Sequence, residues 1–136
     1  ARAQVEKFQS NTLIKKRRIG LFYRKFFSEK DFEPSQKIIK KNKVVYWLNS
    51  IYFKNLSKNK VVKLAKFLQK KGIEIRSGFW PMSNLKNFKS KYIKGNYEVS
   101  RHIFEKSLVL PSNIFLKKKD IKYFSNLIKK FIKLND

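Results

Sequence analysis

Between Lys71 and Ser83 the chain reads Lys-Gly-Ile-Glu-Ile-Arg-Ser-Gly-Phe-Trp-Pro-Met-Ser, and this stretch restricts the fold more than any other. Upstream of it, Val61, Leu64, Ala65 and Leu68 recur at i, i+3, i+4 and i+7, which lines one face of a helix. Gly72 stands where a left-handed residue would end that helix, so its last turn is expected near Lys71. Beyond it, Ile73, Ile75 and Ser77 alternate with Glu74, Arg76 and Gly78, the pattern of a half-buried strand with Arg76 facing away from the isoleucines. Phe79-Trp80-Pro81 closes the strand, because proline cannot donate to a ladder and restrains the residue before it. An arginine held on a strand beside aromatic residues suits a planar or phosphate-bearing ligand. The same residues also fit a plain surface arginine next to a Phe and a Trp that plug the core.

The rest of the chain supplies elements for one small domain. From Ala1 to about Ser28, Val5, Phe8, Thr12, Ile19, Tyr23 and Phe26 recur mostly at helical steps around a basic face of Lys15, Lys16, Arg17 and Arg18. No cap precedes this long helix, so Ala1 reads as a cut inside a longer protein. Glu29–Lys43, with Pro34 and Ser35, reads as an irregular connection, and Val44–Phe53 as one β-branched, aromatic strand in the middle of a sheet. Ser57 and Asn59 are both candidate caps for the helix that ends at Gly72. After Pro81 comes a lysine- and asparagine-rich loop to Asn96, with a helical turn expected to bury Leu85 and Phe88. Tyr97–Lys106 follows as a short helix carrying Val99, Ile103 and Phe104, and Leu108–Pro111 as a short strand. Asp120–Leu134 closes the chain as an amphipathic helix through Ile121, Phe124, Ile128 and Phe131. The expectation is an α/β (α+β), two-layer domain: a long N-terminal helix (1–28), then residues 29–136 with a small mixed or antiparallel sheet and an amphipathic C-terminal helix.

Composition narrows the chemistry. A chain of 136 residues supports one core, and 42% hydrophobic content is too much for a disordered polycation. The absence of cysteine excludes disulfides and thiolate chemistry, and with His102 the single histidine a metal site is not expected. His102 reads as a surface or cap residue of the short helix. The nine carboxylates are scattered without the spacing of an acid/base couple, and the four glycines form no phosphate-binding loop. No apolar run is long enough to span a bilayer, so the expected compartment is the cytoplasm. The net charge of +25 raises an alternative reading, a basic module for nucleic acid or anionic surfaces. Its lysines are spread through every segment, however, and abundant Ile, Asn and Phe with scarce Ala and Gly is the usage of an AT-rich coding sequence. A solvated lysine surface is therefore expected, with nucleic acid not a partner. A third reading, an interaction domain, rests on the apolar residues of the first helix.

In succession, Gln4-Val-Glu-Lys-Phe8 with Arg17-Arg-Ile-Gly-Leu-Phe-Tyr23, Asn59 to Arg76, Phe79-Trp-Pro-Met82, Leu108-Val-Leu-Pro-Ser112 and Asp120 resemble the C-terminal part of the sugar aminotransferases of the DegT/DnrJ/StrS type. The resemblance covers nearly the whole chain. It implies the C-terminal domain of an aspartate-aminotransferase fold, in a pyridoxal-phosphate enzyme that moves an amino group, usually from glutamate, onto a keto sugar nucleotide for polysaccharide or glycan precursors. It further implies a homodimer. The lysine that anchors the cofactor would lie upstream and no lysine here matches it, so the resemblance implies no catalytic or cofactor-binding residue in this chain, which should be inactive alone. Arg76, Phe79, Trp80 and Ser83 would border the sugar nucleotide. Ser83 stands where many members have histidine, Ser77 where many have proline, and Lys117 where a Ser/Thr cap is usual.

Overall fold

Ile19, Tyr23 and Phe27, four residues apart, lay one buried stripe along helix α1 (Leu13–Phe27), which a π-helical turn at Phe8–Thr12 precedes. Thr12 is already helical and its side chain caps nothing. The stripe ends in Phe27 rather than Phe26, which is only half-buried, and Phe8 is exposed. The computed structural model describes residues 8–28, 30–35, 44–85, 87 and 95–135, so Val5 and Phe88 lie outside the described residues. After α1 come β1 (Phe32–Pro34), β2 (Asn49–Phe53), α2 (Lys58–Lys70), β3 (Arg76–Ser77), α3 (Glu98–Glu105), β4 (Ser107–Leu110) and α4 (Lys118–Asn135).

The four strands form one antiparallel sheet in the order β1-β2-β4-β3. Asn49, Ile51 and Phe53 pair across to Leu110, Leu108 and Phe32 respectively, and this face meets α1, α2 and α4. The result is the expected two-layer arrangement, with α1, α2 and α4 on one side of a small sheet. Its core runs from Phe27, edge-on to Phe32 at 5.6 Å, through Ile51, Leu64 and Leu68 to Ile121 and Ile128. All four residues of β4 are buried, as befits an inner strand.

Local signals decide several boundaries. The Ser57 hydroxyl accepts from the Lys60 N–H (3.3 Å), making Ser57 and not Asn59 the cap of α2. At its other end Gly72 is left-handed (φ 75°), its N–H donating to the Gln69 carbonyl and the Ile73 N–H to that of Leu68, which satisfies two terminal carbonyls. Asp120 accepts from the Lys117 N–H (2.8 Å), so its carboxylate does the capping at α4 that Lys117 cannot.

Three expectations need correction. Val44–Leu48 is not strand: Tyr46 has φ 52° and lays its ring on Gly20 of α1, which turns the backbone before pairing begins at Asn49. The supposed irregular connection contains β1, because an edge strand that pairs on one side only tolerates Pro34. Leu85 is exposed rather than buried beneath its 3₁₀ turn (Met82–Asn84), and Val99 and Ile103 also face outward.

Candidate functional site

Arg76 sits on the short edge strand β3, opposite Val109 of β4, on the sheet face away from the helices. Ile73 and Ile75 go into the core while Glu74 and Arg76 stay out, as alternation requires. The Arg76 guanidinium touches Glu74 at 3.2 Å with both side chains 78% exposed, a surface pair that stabilises by well under about 1 kcal/mol and leaves the arginine able to turn to a ligand. Regular pairing ends one residue later, where the Gly78 N–H donates to the Ser107 carbonyl (3.2 Å).

The aromatic turn does not plug the core. Pro81 is its buried residue, whereas Phe79, Trp80 and Met82 are 70%, 55% and 65% exposed. Trp80 is fixed all the same: its ring stands edge-on to Phe104 of α3, 4.8 Å between centroids. Ser83 is half-buried in a cleft of about 480 Å³ that also takes in Asn96, Tyr97 and Arg101 at the start of α3. Of the four sequence-predicted residues, then, Ser83 lines the cleft, Trp80 packs on the helix that walls it, and Phe79 and Arg76 lie outside the cleft. Helix α3 is the shared wall. Its Arg101 is 3.8 Å from Glu98, and its His102 bonds the Tyr52 hydroxyl (3.1 Å), the exposed role expected of it.

Sequence reasoning missed the clamp built by Leu108-Val-Leu-Pro-Ser112. The Ser112 hydroxyl accepts from both the backbone N–H (3.1 Å) and the side-chain amide (3.0 Å) of Asn49, and donates to the Leu110 carbonyl. Tyr23 donates its hydroxyl to the Pro111 carbonyl (2.8 Å), and Lys16 its ammonium to those of Ser112 (2.6 Å) and Trp47 (3.2 Å). The motif thus ties α1 to the ends of β2 and β4, which holds the sheet in register behind the site. Burial raises the Tyr23 pKa and lowers that of Lys16. Nothing in a Leu-Pro-Ser triplet alone names these partners.

The model of the DegT/DnrJ/EryC1/StrS aminotransferase family matches residues 1–129. The chain belongs to that family. No curated protein matches this DegT-family chain. Solved structures agree with its fold. A candidate sugar aminotransferase, Spr1654 of Streptococcus pneumoniae, in its PMP form, has a TM-score of 0.83 at 20% identity, covering 98% of this chain and 35% of that one. Helicobacter pylori PseC, an aminotransferase of pseudoaminic acid biosynthesis, has a TM-score of 0.78 at 17% identity, with 96% and 35% covered. DesI, crystallised in the presence of its TDP-sugar product, has 0.75 at 14%, with 93% and 32% covered. The DegT-family chain thus spans about a third of the length of the structures it matches.

Spr1654 is also known in a PLP form. A pyridoxal phosphate site needs an amine to carry the cofactor and a carboxylate for its ring nitrogen, and the described carboxylates of this DegT-family chain already have other partners. Glu33, Glu74, Glu98 and Glu105 each contact a surface lysine or arginine, Asp31 accepts from Asn55, and Asp120 caps α4. Lys16 gives its ammonium to two carbonyls. Among the described residues there is also no group of three or more His, Asp or Glu placed to hold a metal, and no helix long and apolar enough to cross a membrane.

Proposed function

We propose that this chain is the small C-terminal domain of a nucleotide-sugar aminotransferase, residues 1–28 leading in from a large catalytic domain and residues 29–136 closing over the substrate. The observation that carries the reading is the family match over residues 1–129 combined with an arginine and two aromatic rings held outward on a rigid edge. Pyridoxal phosphate, bound by the remainder of the enzyme, would carry the amino group from donor to acceptor. Glutamate is the proposed donor and a keto sugar nucleotide the acceptor, in a cytoplasmic homodimer making polysaccharide or glycan precursors. The product named for DesI, a TDP-sugar, supports the acceptor class. This chain alone would be inactive.

In this reading Arg76 meets a phosphate through its guanidinium fork, Phe79 and Trp80 offer apolar faces to the base or sugar ring, and Ser83 hydrogen-bonds a sugar hydroxyl from the cleft. These groups bind and orient. The test uses the chain joined to a family large domain. Arg76→Ala is expected to raise the KM for the sugar nucleotide about tenfold or more, since a hydrogen bond to a charged group contributes roughly 1.5–3 kcal/mol, and Trp80→Ala to raise it through loss of the ring contact. Unchanged KM in both variants would remove these residues from the site.

A further inference from the structure

The neighbouring helices α2 and α4 carry a cationic face with a single carboxylate between them. On α4, Lys118, Lys119, Lys122, Lys130 and Lys133 fall within roughly a third of the circumference at about 100° per residue, opposite buried Ile121, Phe124, Ile128 and Phe131. On α2, Lys63, Lys66 and Lys70, followed by Lys71, lie opposite buried Val61, Leu64 and Leu68. The helices pack side by side, with the rings of Phe67 and Phe131 5.4 Å apart, and each row lies across its helix from the buried stripe. All nine lysines are exposed. No carboxylate lies on α2, and the one on α4, Asp120, is turned to the cap. The other described carboxylates, Asp31, Glu33, Glu74, Glu98 and Glu105, belong to the sheet edges and α3.

We infer that the α2/α4 face is a docking surface for an anionic phospholipid bilayer. Two observations select this partner over a nucleic acid. Neither helix contains an arginine, the residue that forks onto phosphates and base edges. Tyr123 and Leu134, 48% and 73% exposed, flank the α4 lysines and give the face apolar side chains that enter a headgroup layer. The inference does not rest on the aminotransferase reading, since none of the nine lysines lines the Ser83 cleft.

The test is co-sedimentation of the 136-residue chain with vesicles of phosphatidylcholine containing one-third phosphatidylglycerol, against phosphatidylcholine alone, at about 0.15 M salt. Binding to the anionic vesicles only is expected. The variant K66Q/K70Q/K130Q should lose roughly 100-fold in partitioning, about fivefold per lysine near an anionic surface. The control K30Q/K54Q/K106Q, with the same change in charge at one end of the sheet and outside α1, α2 and α4, should lose less than about threefold. Glutamine is nearly as good a helix former as lysine, and circular dichroism verifies folding. The single variants K70Q and K130Q, each expected to fall about fivefold, keep the test readable if the triple does not fold. Equal losses in the two triple variants, no vesicle binding, or tighter binding to duplex DNA than to vesicles at the same salt would each overturn the inference.

Discussion

Substituting Gly20 by alanine separates the tertiary account of this fold from helix propensity, because the two predict opposite signs. In an isolated helix the change stabilises by about 1 kcal/mol. Here a Cβ at position 20 would stand within 2.6 Å of three carbons of the Tyr46 ring. The ring would have to retreat by more than an ångström, on the order of the shortfall from ordinary carbon contact at about 3.5–4 Å. Tyr46 is buried against α1, so its expulsion forfeits about 2–3 kcal/mol of burial. Net of the helix gain, Gly20→Ala should destabilise by about 1–2 kcal/mol, a fall in Tm of about 5 °C for a chain of this size. The assay is urea unfolding followed by circular dichroism, repeated in a Tyr46→Ala background. With the ring gone the clash is gone, and the same substitution should stabilise by about 1 kcal/mol. A stabilising Gly20→Ala in the native background would refute the packing of α1 on the entry to β2.

Three further outcomes follow from single groups. Ser112→Ala leaves the buried Asn49 amide without its partner and should cost about 1–3 kcal/mol in urea unfolding. Ser107 buries a hydroxyl that has no hydrogen-bond partner among the described residues, so Ser107→Ala should be neutral or stabilise by up to about 1 kcal/mol in the same assay. Burial raises the Tyr23 pKa above its ordinary value near 10, so the native state holds this proton where the unfolded chain releases it. Its contribution is therefore complete below that ordinary value and is lost as pH rises beyond it. Relative to wild type, Tyr23→Phe should lose about 1 kcal/mol at neutral pH and show a shallower decline in stability above about pH 10.

Elements governed by local chemistry were legible in the sequence. Gly72 announces the end of α2, Ser57 and Asn59 bracket its start, and the spacing of Ile121, Phe124, Ile128 and Phe131 marks the buried side of α4. What could not be read depends on a distant residue. The positive φ of Tyr46, which shortens β2, is held by a ring packed on Gly20 of another element, and β1 exists only because Phe53 and its neighbours offer a ladder. The site divides the same way. That Arg76 faces outward follows from alternation along Ile73 to Ser77. That Phe79 and Trp80 stay exposed could not be known, since an aromatic pair reads identically whether it fills a core or awaits a ligand. The approach of Ser83 to Asn96, Tyr97 and Arg101 joins segments well apart in the sequence, and no local signal marks it.

The most direct measurement joins this chain in frame to the large domain of a DegT-family aminotransferase and follows amino transfer from glutamate to keto sugar nucleotides by mass spectrometry. The account predicts aminated sugar nucleotide from the joined protein and none from the large domain alone. A joined protein that folds, binds pyridoxal phosphate and aminates no keto sugar nucleotide would contradict it.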